Sequence, residues 1–216
     1  MKKQIKEIAL LALSILPLAY FYYHYNALPE QMATHFNFQG EADDYTHKNN
    51  FIWVILGINL GLYLLFLFLP KIDPRKRIEQ MGEKYFSLRL MMSFFFTILM
   101  CYTIYVSLPG NSFNSNVLLS IIALLFAMFG NYFQTIRPNY FMGIRTPWTL
   151  ESDDNWKITH RTAGRIWMIG GAALFVLSFV LSKGIYSLLF AVAIAIMVLY
   201  PIIQSYWIHR MSKQSK

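Results

Sequence analysis

Hydrophobic residues form long runs along this chain, and short polar segments separate the runs. Each run is about 20 residues long, which is the length that an α-helix needs to cross a hydrocarbon core of about 30 Å. The runs predict six transmembrane helices, over residues 6–25, 51–69, 88–108, 117–136, 163–182 and 185–208. The expected fold is an all-α, polytopic membrane protein with a small outer-loop domain between the first two helices.

The composition excludes several classes of protein. Of the 216 residues, 56% are hydrophobic and only 14% are charged. Soluble domains carry about 25% charged residues, so this chain has too few polar side chains to cover a surface in water. An ordinary soluble enzyme and a disordered chain are therefore both excluded. The single cysteine, Cys101, excludes a disulfide framework and a thiolate-rich metal site.

The distribution of charge predicts how the helices are oriented. The formal net charge is +8, and 17 of the 19 Lys and Arg residues fall on one predicted side of the membrane. Only Lys48 and Lys183 fall on the other side. Because basic residues are enriched in cytoplasmic segments, both termini are expected in the cytoplasm of a cell-membrane protein. Tyr22, Tyr23 and Tyr25 extend the first run without a cleavage site, which favours a retained span over a signal peptide.

The predicted spans carry little chemistry. None has an acidic or basic residue in its middle, which disfavours an ion-coupled transporter, and the chain has no HExxH, GxSxG or Walker pattern. We therefore predict no catalytic residue, no cofactor and no metal. A metal held by His35, Asp43 and His47 is the less favoured alternative, because their spacing fits no strong zinc pattern. Glycines suited to close helix approach are Gly57, Gly61, Gly164, Gly170 and Gly171.

The predicted outer loop, residues 26–50, has the pattern of a small folded element. Phe36 and Phe38 alternate with polar neighbours, as on one side of a short strand. Gln39-Gly40 suits a turn, because glycine adopts positive φ without strain. The loop is acidic, and this bias fits a cationic partner and a solvated surface equally well.

The predicted inner loop, residues 137–162, is the most distinctive segment of the chain. Two prolines and a glycine predict irregular backbone from Arg137 to Trp148, and Ser152 is expected to cap a helix. On that helix one stripe is aromatic, and an adjacent basic stripe holds Lys157, Arg161 and Arg165. The basic stripe suits anionic lipid headgroups. A rigid segment with Arg145, Trp148 and Trp156 instead favours a docking surface. Direct nucleic-acid binding is not expected, because the basic residues are divided among four short segments.

Both loops resemble known protein regions. The inner segment GIRTPWTL at 143–150, followed by WKxxHR at 156–161 and preceded by RPN at 137–139, resembles the SdpI family of bacterial membrane proteins. The outer segment, from Leu28-Pro29 through Thr34-His35 to Gly40 and Asp43, resembles the domain of unknown function DUF1648. These resemblances imply partner-binding residues in the inner motif, which are Arg137, Asn139, Gly143, Arg145, Thr146, Pro147, Trp148, Trp156, His160 and Arg161. In the outer loop they imply Pro29, His35, Gly40 and Asp43.

The resemblance also implies a function and a division of the chain. It implies a membrane immunity or receptor protein that lies in the lipid bilayer, meets a secreted toxin outside and recruits a transcriptional repressor inside. The alternatives are a membrane enzyme or transporter acting on a lipid or envelope precursor, and a structural partner of another membrane protein. We expect a DUF1648-like region at 1–70, a basic loop and span at 71–116, an SdpI-like region at 117–208 and a basic tail at 209–216.

Overall fold

The computed structural model describes residues 2–37, 41–73, 76–139 and 142–214. Helix α1 (Lys2–His24) is followed by strands β1 (Gln31–Phe36) and β2 (Ala42–His47). One long helix comes next, made of α2 (Lys48–Ile55), a π-helical turn (Leu56–Leu60) and α3 (Gly61–Ile72). The remaining helices are α4 (Arg77–Gln80), α5 (Glu83–Ser107), α6 (Ser115–Phe133), α7 (Pro147–Glu151), α8 (Asp153–Leu177) and α9 (Lys183–Gln214).

The chain divides into two compact units, Met1–Leu118 and Leu119–Lys216. In the first unit, buried apolar side chains of α1, the strands, α2 and α5 form one core cluster around Phe21, Met32 and Phe51. In the second unit, α6, α8 and α9 enclose Leu174, Tyr186 and Met197. The predicted division into four segments stays a prediction.

Five helices in the described part of the chain are long and apolar enough to cross a membrane, which makes this a multi-pass membrane protein. They are Gln4–His24, Lys48–Ile72, Glu83–Ser107, Ser115–Phe133 and Lys183–Gln214. Each matches one of the six predicted spans. Many of their apolar side chains are exposed, among them Trp53, Leu188 and Leu199, as expected for helices in contact with lipid tails.

Most of the remaining predicted span, residues 163–182, lies in α8 and does not form a separate helix. α8 begins at Asp153 and ends at Leu177, so its first half carries the charged residues of the inner motif. From Ile166 to Leu177 the apolar part is about 18 Å long, well short of a hydrocarbon core of about 30 Å. Six crossings with both termini in the cytoplasm therefore stay a prediction.

The outer loop forms an antiparallel hairpin, which the predicted all-α class did not include. β1 and β2 pair from Gln31↔His47 to Phe36↔Ala42, with irregular register around His35. Two side chains hold the hairpin against the rest of the first unit. Met32 is fully buried, and Phe36 stacks on Phe113 with ring centroids 4.2 Å apart. Phe38 and the predicted turn at Gln39-Gly40 lie outside the described residues.

Two of the predicted glycine contacts are absent within the described chain, and three are present. A Cβ atom at Gly57 meets nothing within 4 Å, and one at Gly61 meets only its own helix, so this pair does not mediate helix packing. A Cβ atom at Gly164 or Gly171 meets backbone of α6 within 2.7 Å, and one at Gly170 meets Met197 of α9. The small residues therefore bring α8 close to its neighbours.

Candidate functional site

The inner motif contains two consecutive helices, α7 and α8, and each is capped by a side chain. Thr146 precedes α7, and its hydroxyl accepts a hydrogen bond from the Thr149 amide at 3.2 Å. In return, the Thr149 hydroxyl accepts from the Thr146 amide at 3.0 Å, which completes a capping box. Ser152 then caps α8 by accepting from the Asn155 amide at 3.3 Å, so the helix start predicted from Ser152 is confirmed.

Trp156 and His160 form the buried centre of the motif. They lie one turn apart on α8 and stack with ring centroids 4.0 Å apart. The indole Nε1 of Trp156 donates to the Ile136 carbonyl at 3.1 Å, which ties the helix to the segment after α6. Trp156 is fully buried and His160 nearly so. A partner therefore cannot touch either side chain unless the segment opens.

The hydrogen bonds of His160 require a neutral ring. Its Nε2 accepts from the Ile144 amide at 2.8 Å, so this nitrogen carries no proton. Its Nδ1 lies 2.9 Å from the Trp156 carbonyl and must donate to it. Burial lowers the pKa of His160 from its usual 6.5 to about 4, against the opposing effect of the bond to the Trp156 carbonyl. The ring therefore stays neutral at physiological pH and holds the loop at Ile144.

Gly143 is the position where this loop passes closest to the stacked rings. Its φ of +106° is a conformation that side chains rarely adopt. A Cβ atom there also lies 2.5 Å from Nε2 of His160 and 3.2 Å from the Trp156 ring. Just before it, Asn139 is buried and closes the turn, since its side chain donates to the Arg137 carbonyl and accepts from the Met142 amide.

A buried polar network joins the motif to α9, and sequence reasoning missed it. Asn155 donates to the Ser205 carbonyl at 2.8 Å and accepts from the Thr159 hydroxyl at 3.0 Å. The hydroxyls of Thr146 and Ser205 lie 3.2 Å apart. The available signal was the spacing of Asn155 and Thr159, which lie four residues apart beside the aromatic stripe.

The remaining motif residues form an exposed rim around this buried frame. Arg137, Arg145, Pro147 and Arg161 are exposed. Trp148 is half-buried, and its ring contacts Tyr206 and His209 of α9. The predicted docking set is thus divided, because Trp156 and His160 support the segment from inside while the arginines face outward. A cavity of about 270 Å³ lies beside Arg145 and Thr146, with Trp167 and Met197 on its apolar wall.

The predicted outer-loop residues do not converge on a metal site. His35 pairs with Asp43 at 2.5 Å, and His47 pairs with Glu30 at 3.0 Å, at opposite ends of the hairpin. No cluster of three His, Cys, Asp or Glu side chains suited to a metal occurs among the described residues. Gly40 lies outside those residues. Pro29 is exposed just before β1.

Glu30 also supports the base of the hairpin. Its carboxylate lies 2.8 Å from Nζ of Lys48 at the start of α2, and the hydrogen bond from Lys48 lowers the pKa of Glu30. Sequence reasoning placed Lys48 among the few basic residues of the outer side, but it did not predict this pairing.

A buried ion pair in the first unit was likewise missed. Arg89 of α5 donates to both carboxylate oxygens of Glu7 in α1, at 2.6 and 2.8 Å. The Arg89 side chain is 8% exposed and that of Glu7 is 29% exposed. The two residues lie 82 positions apart, each near the end of a span, and sequence reasoning assigned them only to flanking charge.

These features define a class of protein: a multi-pass helical membrane protein with a capped, hydrogen-bonded motif segment. Residues 135–205 match the SdpI/YfhL protein family, and residues 12–60 match the domain of unknown function DUF1648. The chain is 28% identical over 180 residues to Immunity protein SdpI of Bacillus subtilis (strain 168), with 83% of each chain covered. These matches confirm the resemblance found in the sequence, because they fall on the same inner and outer segments. No solved structure matches it.

Acidification tests the neutral state of His160. Below about pH 6.5 the unfolded chain binds a proton that the folded chain does not bind until about pH 4, so stability falls through this window. By about pH 5 we expect a loss of about 2 kcal/mol. Tryptophan fluorescence during unfolding in detergent measures it. His160→Asn should flatten this pH dependence, whereas His209→Asn should retain it. Equal pH slopes in wild type and His160→Asn would contradict the assignment.

Proposed function

We propose that this chain is a membrane immunity protein that protects its cell from a secreted, membrane-active toxin. The observation that carries the proposal is its 28% identity to Immunity protein SdpI across 83% of both chains. That match is longer than either family region alone, so the likeness extends beyond one motif. The role is one of binding, without catalysis.

The proposal assigns recognition of the toxin to the DUF1648 region. The hairpin and the helices on either side of it, α1 and α2, meet the toxin outside the cytoplasm. In support, the hairpin is anchored by buried Met32 while His35, Asp43 and Tyr45 are turned outward. Exposed carboxylates and a tyrosine suit a cationic, partly apolar peptide. The orientation follows the charge distribution, with both termini in the cytoplasm.

The inner motif is proposed to report inward by binding a transcriptional repressor. Its buried frame fixes the backbone through Trp156 and His160, so the arginines on its rim are presented in a defined arrangement. Arg145 and Arg161 are exposed there, with Lys157 nearby on α8. Their shared positive charge suits an acidic surface on the partner, and arginine is favoured at binding hot spots.

Protection and signalling are tested with one panel of variants. Expression of the wild-type chain in toxin-sensitive cells should restore growth in the presence of the toxin. Arg145→Ala and Arg161→Ala should abolish membrane recruitment of a fluorescent repressor fusion, because each removes an exposed charge. Trp148→Ala should also lose recruitment, although it additionally removes a ring contact with Tyr206.

The matched control is Lys213→Ala, which removes an exposed charge near the end of α9. It should leave both readouts unchanged, and all variants should insert to the wild-type level in membrane fractions. If the wild type gave no protection, the immunity proposal would fail. If both arginine variants recruited the repressor normally, the docking role of the motif would fail while immunity stood.

A further inference from the structure

A cavity of about 850 Å³ lies in the first unit. It is lined where α1 begins, where α3 ends and where α5 begins, so it lies at the ends of three candidate spans. Residues at the ends of spans lie at the depth of lipid headgroups. The cavity also has the size of a small-molecule site, for which about 300–1,000 Å³ is usual.

The wall of the cavity is apolar on one side. Phe66, Leu67 and Pro70 of α3 line this side together with Tyr85 and Phe86 of α5. Pro70 has no amide hydrogen to donate to the Phe66 carbonyl, and the Tyr85 hydroxyl donates to that carbonyl at 2.6 Å instead. This bond fixes the two helices at the wall, so an acyl chain or glycerol backbone meets a preformed apolar surface.

The other described lining residues include equal numbers of basic and acidic side chains. Four basic side chains line the cavity: Lys6, Lys71, Lys76 and Arg89. Four acidic side chains line it as well: Glu7, Asp73, Glu79 and Glu83. The formal charge of the described lining residues is therefore zero. A ligand with a net charge gains little overall, whereas a ligand with separate positive and negative groups pairs with both kinds of side chain.

Several of these charges already have partners within the unit. Arg89 binds Glu7, Lys6 binds Glu83, and Asp73 accepts from the Ile78 amide. Lys71 and Lys76 form no ion pair with any described residue, although Lys71 lies over the Phe68 ring. Both lysines are exposed. Both are therefore available to a bound anion.

A buried donor on the same wall also lacks an acceptor. Nε of Arg89 is enclosed and bonds to no atom of the described chain, although the two terminal nitrogens of the guanidinium hold Glu7. A buried donor without an acceptor is unfavourable. A phosphate oxygen in the adjoining cavity is a suitable acceptor, since arginine and phosphate form strong charge-assisted hydrogen bonds.

We propose that this cavity is a binding site for a zwitterionic phospholipid of the phosphatidylethanolamine type. Its phosphate binds Lys71 and Lys76 next to Arg89, its ammonium pairs with Glu79, and its glycerol backbone lies against Phe66 and Phe86. The proposal stands apart from the immunity function, because it uses no residue of the motif or the hairpin.

Native mass spectrometry of the full chain in detergent tests the site, after delipidation and titration with one lipid at a time. Phosphatidylethanolamine should bind saturably and about tenfold more tightly than phosphatidylglycerol, which equals about 1.4 kcal/mol. Lys71→Gln/Lys76→Gln should weaken phosphatidylethanolamine binding by about tenfold. Glu79→Gln should reduce the preference over phosphatidylglycerol, because it removes the partner of the ammonium.

The matched control is Lys157→Gln/Lys213→Gln, which makes the same charge change on exposed lysines of the second unit. It should bind phosphatidylethanolamine as the wild type does. Equal or tighter binding of phosphatidylglycerol overturns the proposal, as does binding that the cavity lysines do not affect. Displacement of the lipid by inorganic phosphate shows a site for free phosphate instead. Absence of saturable lipid binding also overturns the proposal.

Discussion

Arg89→Leu is expected to destabilise the first unit by about 3–5 kcal/mol, because it removes the only guanidinium that pairs with the partly buried Glu7 carboxylate among the described residues. The guanidinium holds both oxygens of that carboxylate, at 2.6 and 2.8 Å, and is itself 8% exposed. The free energy of unfolding in mixed detergent, followed by tryptophan fluorescence, measures the loss. The double variant Glu7→Leu/Arg89→Leu should be more stable than Arg89→Leu alone, since no buried charge then remains unpaired.

The neighbouring pair between Lys6 and Glu83 is the matched control. It joins the same two helices, but the Lys6 side chain is 38% exposed and that of Glu83 is 81% exposed. Water screens such a pair, so Lys6→Gln should cost no more than about 1 kcal/mol. An equal cost for Lys6→Gln and Arg89→Leu would show that burial does not strengthen the Glu7–Arg89 pair. If the free energy of unfolding of the double variant were no higher than that of Arg89→Leu, Arg89 would act by packing alone.

The predictable part of this fold is the part encoded by local pattern. Runs of apolar residues predicted the five helices that meet the criteria for a span, because length and composition within one segment decide whether it suits the bilayer. The helix start at Ser152 followed from a capping side chain next to its own amides. The extent of α8 did not follow, because a helix of mixed composition continues wherever its charged half finds water and its apolar half finds protein or lipid.

The unpredictable part depends on pairs of segments far apart in sequence. Close helix approach was predicted at Gly57 and Gly61 and also at Gly164 and Gly171, but only the second pair makes it, because spacing on one helix says nothing about which helix faces it. Likewise the pattern placed Trp156 and His160 on one stripe, but it did not show that their partners are the Ile136 carbonyl and the Ile144 amide. The exposed arginines were therefore not separable from the buried aromatic residues by sequence alone.

We expect that α6 and α8 pack too closely to accommodate a side chain at Gly130. A Cβ atom there lies 2.6 Å from both the Gly164 carbonyl oxygen and the Cα atom of Met168. Because both neighbours are backbone, relief requires the helices to separate rather than a side chain to rotate. Gly130→Ala should therefore destabilise the second unit by about 3 kcal/mol, measured by unfolding in mixed detergent.

Gly57→Ala is the matched control for this substitution, since Gly57 also lies inside a helical span but a Cβ atom there meets nothing within 4 Å. It should leave stability unchanged or raise it by about 0.5 kcal/mol, because alanine favours helix more than glycine does. Since α8 carries Trp156 and His160, separation of α6 and α8 by Gly130→Ala should also loosen the motif. If Gly130→Ala were as stable as Gly57→Ala, the two helices would not be in backbone contact, and the close packing of α8 would be disproved.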